Sequence, residues 1–125
     1  MQICLKIIFF FNEEKITGVI DFYFSCFHFL LYDICIVIND WCFEKDGKVF
    51  NYDYFHAIID GYNLSRNLTD KEFNSLNLIL RIAAVRILVT RLNDYIFHPN
   101  DAIVIKKDPH QYFNILKWHQ NNNIL

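Results

Sequence analysis

The sequence predicts a mostly α-helical chain with a β-hairpin at its N-terminal end. Three observations carry this. Two apolar, β-prone runs near the start are separated by the polar tetrapeptide Asn12-Glu13-Glu14-Lys15. From residue 29 onward the apolar side chains recur at helical rather than alternating spacing. Two helix-start signals stand in the second half, Thr69-Asp70-Lys71-Glu72 and Asp108-Pro109.

The hairpin is expected over about residues 7–21, with strands at 7–11 and 16–21. Gly18 within the second strand marks a bulge or a close backbone approach. A lone two-stranded hairpin is marginal in water, so these strands should pack on the helices and on chain that is not present. Residues 29–43 read as a helix with Leu30, Ile34, Val37, Ile38 and Trp41 on its apolar stripe. Lys45-Asp46-Gly47-Lys48 is a turn. Residues 52–63 read as a second helix that buries Phe55, Ile58, Ile59 and Tyr62. Thr69 and Glu72 form a capping box, and the helix after them runs to Phe97, with a candidate break at Ser75-Leu76. His98-Pro99-Asn100 stops it. Asp108 then caps a last helix whose first turn holds Pro109. The helical part covers about residues 29–121 of a single truncated domain, 1–125.

Composition excludes several functions. Twelve Lys and Arg against 14 Asp and Glu give a net charge of -2, which fits neither a polybasic nucleic-acid binder nor an acidic tail. The longest run without formal charge, residues 22–32, is far short of the roughly 20 residues a spanning helix needs. No nucleic-acid partner and no membrane are therefore expected. Residues 1–11 lack the basic start and small-residue cleavage site of a secretory signal. Cys4, Cys26, Cys35 and Cys42 show no C-x-x-C spacing and no His at zinc-finger distance, so they read as reduced, mostly buried thiols of a cytoplasmic protein. A hydrophobic fraction of 54% excludes disorder and exceeds what a compact globule of this size needs. The excess implies a partner surface, expected around the hairpin and the helix that follows it.

Asp21 closes the second strand inside an apolar run, where a carboxylate is costly unless paired or bound to a cation. It reads either as a turn residue capping backbone N–H groups or as a Mg²⁺ ligand. Asp33 and Asp40 lie on the first helix. Arg86 falls on a wheel position shared with Ile79, Ile82, Val89 and Ile96, so its guanidinium should enter the protein and pair with Asp33 or Asp40 as a structural contact. Arg81 and Arg91 point elsewhere and read as surface charges. None of the five His has a Ser, Cys or Asp at catalytic spacing, and three scattered Gly cannot form a phosphate loop.

Gly18-Val19-Ile20-Asp21-Phe22-Tyr23-Phe24, Tyr32-Asp33-Ile34 and Asn39-Asp40-Trp41-Cys42-Phe43 together resemble homoserine kinase of the choline/aminoglycoside-kinase-like type. The likeness continues through Gly61-Tyr62, Leu92-Asn93-Asp94-Tyr95 and Lys107-Asp108-Pro109, over about residues 8–120. It implies the C-terminal part of a protein-kinase-like large lobe. The parent reaction would be ATP-dependent phosphorylation of homoserine in threonine biosynthesis. By the same resemblance Asp21 matches the family's metal-binding Asp, which holds Mg²⁺ against the ATP phosphates, and Asp33 matches a structural Asp.

The family's catalytic loop, His-Ala-Asp-Leu-Phe-x-Asp-Asn, should precede the first strand, and here that place reads Met1-Gln2-Ile3-Cys4-Leu5-Lys6-Ile7-Ile8. Codons for His-Ala-Asp-Leu-Phe-Lys-Asp-Asn-Ile, read one base later, encode those eight residues. The implied chain is the downstream piece of a frameshifted gene, a possible pseudogene product. It lacks the base, the second metal ligand and the ATP-gripping small lobe. Such a piece should be inactive alone and bind Mg²⁺ and ATP poorly. It would either complement a separately encoded N-terminal kinase fragment or act as a non-catalytic helical binding module.

Overall fold

The computed structural model describes residues 9–20, 29–97 and 107–124. Strands β1 (Phe9–Asn12) and β2 (Lys15–Val19) form an antiparallel hairpin, followed by helices α1 (Leu30–Trp41), α2 (Tyr52–Ser65), α3 (Asp70–Ile96) and α4 (His110–Asn121). The class expected from sequence is the class observed.

The hairpin turns at Glu13-Glu14, with Glu13 at a positive φ of 53°. Phe10 pairs with Gly18 and Phe11 with Ile16, so Thr17 is the extra residue of a bulge. The ring of Phe10 covers Gly18, as a glycine at such a position allows. Phe9 and Phe11 meet the Trp41 ring at centroid distances of 5.4 and 6.2 Å, which seats the hairpin on the C-terminal end of α1. Phe10, Phe11 and Ile16 remain exposed.

Helix α1 is the centre of the core. Leu31, Tyr32, Ile34, Cys35, Ile36, Ile38 and Asn39 are all buried, so nearly its whole circumference is covered and no single stripe describes it. Leu30, expected inside, is exposed because it starts the helix outside this packing. Helix α2 follows its reading more closely: Phe55 and Ile59 are buried, and Ile58 and Tyr62 pack against them. Asn51 caps α2 by accepting from the Tyr54 N–H at 2.9 Å.

The capping box forms as read: Thr69 Oγ1 accepts from the Glu72 N–H, and Glu72 Oε2 accepts from the Thr69 N–H. Arg66 donates to Glu72 Oε1 at 2.7 Å and to the Tyr62 hydroxyl, tying α2 to the start of α3. These bonds hold the Glu72 carboxyl down at about 2, the Thr69 N–H being the largest cause. The break considered at Ser75-Leu76 does not occur. The Ser75 hydroxyl donates to the Lys71 carbonyl within the helix, and Leu76 anchors it in the core.

The face α3 buries is not the one read from the sequence. Leu76, Leu80, Ala83, Ala84, Ile87 and Arg91 face the core, while Ile82, Val89 and Ile96 are exposed and Ile79 is half-buried. The two alanines give the reason. α1 and α4 both lie on this side of α3, and close helix approach selects small side chains over aliphatic bulk. α3 and α4 run antiparallel: Arg91 meets Asp108 and Gln111 at one end, and Asn77 meets His119 and Asn122 at the other.

The α1–α2 connection docks on α4. Phe43 and Phe50 form a β-bridge, and both rings pack on Trp118, at 5.4 and 4.6 Å. Gly47 sits at φ 75°, and a side chain there would collide with the Gln111 carbonyl of α4. That position needs glycine both for its backbone angle and for the close approach. The N-cap of α4 is Pro109 rather than the expected Asp108, which stands one residue earlier and accepts from the His110 N–H at 2.9 Å.

Candidate functional site

Asp21, the candidate Mg²⁺ ligand, lies outside the described residues, two positions beyond the end of β2. Cys4, Cys26, His28 and His98 also lie outside them. The described part of the site is therefore the support that leads to Asp21: hairpin, Trp41 and α1.

Two polar clusters secure that support. In the first, α1 meets the middle of α3. The half-buried Arg86 guanidinium donates to the Tyr32 hydroxyl, and the charge of Asp33 acts on the same phenol. Burial raises the Tyr32 pKa, and the neighbouring guanidinium pulls it back down. Arg86 and Asp33 thus share one neighbourhood. Asp40 lies elsewhere, within electrostatic reach of Tyr112 on α4.

The second cluster is fully buried. Asn39 Nδ2 donates to the Leu80 carbonyl at 2.9 Å, and Asn39 Oδ1 lies 2.8 Å from His119 Nε2. An amide oxygen only accepts, so Nε2 of His119 carries the hydrogen. One α1 side chain thereby joins α3 to α4. Burial depresses the His119 pKa to about 4, with Arg81 a lesser cause. The ring is neutral near pH 7, as befits a structural histidine among Phe43, Phe50 and Trp118.

Arg91 is the residue the sequence reading missed. It is 8% exposed rather than on the surface. Its Nη1 donates to Gln111 Oε1 at 2.8 Å and to the Asp108 carbonyl at 3.2 Å, and its guanidinium lies 4.4 Å from the Tyr112 ring centroid. The available signal was its place on the Leu76-Leu80-Ala83-Ile87 stripe. Beside it, Lys45, Lys48, Lys107 and His110 rim an open polar depression of about 520 Å³. Asp46 and Asp108 on its wall pair locally with Lys48 and His110.

Among the described residues no three His, Cys, Asp or Glu side chains converge on a point that could hold a metal. Cys35 and Cys42 are buried, and burial pushes the Cys35 thiol up, away from reactivity. The described residues thus form a scaffold, and Asp21, the metal-ligand candidate, lies outside them.

The profile of the phosphotransferase enzyme family matches residues 7–64, which takes in the hairpin, α1 and most of α2. Similarity extends well beyond that region. The chain is 45% identical over 111 residues to homoserine kinase of Sinorhizobium medicae, 43% to that of Rhizobium meliloti and 44% to that of Xanthobacter autotrophicus. Each comparison covers 89% of this chain and 34% of the relative, so the chain spans about a third of the length of the curated relatives it matches. On this evidence the chain is similar to homoserine kinases over most of its length, and its residues 7–64 match the phosphotransferase enzyme family.

Proposed function

We propose that this chain is the scaffold portion of a homoserine-kinase-type phosphotransferase, the C-terminal part of its large lobe, and that it is inactive on its own. The observation that carries the reading is the 45% identity across 89% of the chain. The hairpin seated on Trp41, leading the chain toward Asp21, supports it. In the complete enzyme the reaction would be ATP-dependent phosphorylation of homoserine, the step that feeds threonine biosynthesis.

Asp21 is the proposed Mg²⁺ ligand. Mg²⁺ is commonly held by one or two carboxylates together with substrate phosphates and water. Bound there, it would neutralise charge on the phosphates of ATP. Neither Asp33 nor Asp40 supplies a second ligand in this reading, since both lie on α1 beside Tyr32 and Tyr112. The chain spans about a third of the length of its curated relatives, and a separately encoded N-terminal kinase fragment is the proposed partner. The buried free thiol of Cys35 suits a reducing cytoplasm.

The test is an ATP and homoserine assay on the chain alone, then mixed with the remaining segment of the Sinorhizobium medicae enzyme. Turnover is expected in the mixture only, and Asp21→Asn should abolish it. Turnover by the chain alone, or a mixture indifferent to Asp21→Asn, would overturn the reading. Sequencing the DNA upstream tests the frameshift, which fails if no kinase small lobe is encoded there.

A further inference from the structure

Leu78, Ile82, Val85, Val89, Leu92 and Ile96 stand on the open face of α3, each between 39% and 67% exposed. Their spacing alternates four and three residues without a break. That is a period of 3.5, the pattern of a seam packed by a second helix through knobs and holes. It runs for about 27 Å at the helical rise. The bare apolar surface is on the order of 500 Å², near the upper end for a monomer. Toward its N-terminal end the seam opens into a cleft of about 280 Å³ against α4, where Arg81, Leu116 and Gln120 join its wall.

We infer that this seam is the docking surface for an aliphatic-faced helix from the part of a homoserine-kinase-like protein that this chain does not contain. The inference rests on the kinase reading above and names the surface its partner would use. The relatives carry about twice as much further chain as the matched third, so a helix is available from that source. An incoming helix with a carboxylate opposite Arg81, which lines the cleft at the N-terminal end of the seam, fits the charge there. α3 is also long and apolar enough to cross a membrane by length and composition. Its opposite stripe, however, packs on α1 and α4 and carries Arg91, while Arg81 and Arg86 flank the seam.

The probe is the Sinorhizobium medicae homoserine kinase with the third that aligns to this chain deleted. Fluorescently labelled chain should bind it saturably. Leu78→Glu with Val89→Glu should weaken binding by roughly tenfold or more, as loss of apolar anchors does. Leu64→Glu, at a site on α2 that is 91% exposed, should leave binding unchanged. Circular dichroism checks that each variant keeps its helices, and Val89→Ser alone replaces the double variant if it does not. Turnover of ATP and homoserine is followed in the same mixtures. Binding without turnover upholds the surface and overturns the kinase reading. Turnover with binding indifferent to the double substitution upholds the kinase reading and overturns the surface. Absence of binding overturns the surface. So does self-association, or partition onto phosphatidylcholine vesicles, that the double substitution abolishes.

Discussion

The two faces of α3 carry similar chemistry and meet different fates. One presents Leu76, Leu80, Ala83, Ala84 and Ile87 to α1 and α4 and is buried. The other presents Leu78, Ile82, Val85, Val89, Leu92 and Ile96 and is open. The open face is the more aliphatic of the two. What separates them is size: the alanines admit close neighbours, and the neighbours bring polar anchors in Asn39 and His119. Hydrophobicity alone therefore does not select the inward face of a helix that has two apolar faces.

The contrast can be broken by substitution on either side. Leu80→Ala should cost the most, about 4 kcal/mol, because Leu80 is fully buried and its neighbours can collapse only in part. Urea denaturation measures it, and a cost below about 1 kcal/mol would mean that the buried face is not the tighter one.

The buried side should also respond to acid. His119 has a folded pKa of about 4 against an ordinary value of 6.5. Between those values the unfolded chain takes up a proton that the folded chain refuses. Stability is thus fully present above pH 6.5 and falls as the pH drops toward 4, by up to about 3 kcal/mol. His119→Gln removes the titration, and its stability should be flatter over that window. Parallel profiles for the two proteins would sink the assignment.

Asn39→Ala should cost about 2 kcal/mol, since it strands the His119 N–H in the core and removes the bond to the Leu80 carbonyl. Thr69→Ala removes the N-cap both faces share and should cost about 1 kcal/mol. Ile82→Ser on the open face should change the stability of the isolated chain by less than about 0.5 kcal/mol. A loss comparable to that of Leu80→Ala would show that the face is already covered.

The hairpin and α1 make a second contrast within the same support. α1 is covered nearly all round, whereas Phe10, Phe11 and Ile16 of the hairpin stay bare. The excess of apolar residues was expected to surface around the hairpin and α1. The hairpin meets that expectation. α1 does not, because α3 and α4 enclose it, and the larger bare patch moves to α3.

Local signals were legible wherever the physics is local. The capping box at Thr69 and Glu72, the Gly47 turn and the bulge beside Gly18 each depend on a few adjacent residues, and each stands where the sequence placed it. The phase of α3 and the burial of Arg91 were not legible. Both depend on which partners lie against the helix, and those partners are distant in the chain: 41 residues for Asn39 of α1 against Leu80, and 17 to 45 for the contacts with α4 and the residues that flank it. Arg91 looks like a surface charge until Gln111, the Asp108 carbonyl and the Tyr112 ring are brought around it.

The amino-acid sequence alone determined the element types, their order and the kinship with homoserine kinases, because caps, periods and motifs are written in neighbouring residues. The tertiary structure decided which side of α3 faces in, which arginine is buried and where the bare seam lies. Those choices are made by contacts between distant segments, where the volume of two alanines outweighs the greater hydrophobicity of the opposite face.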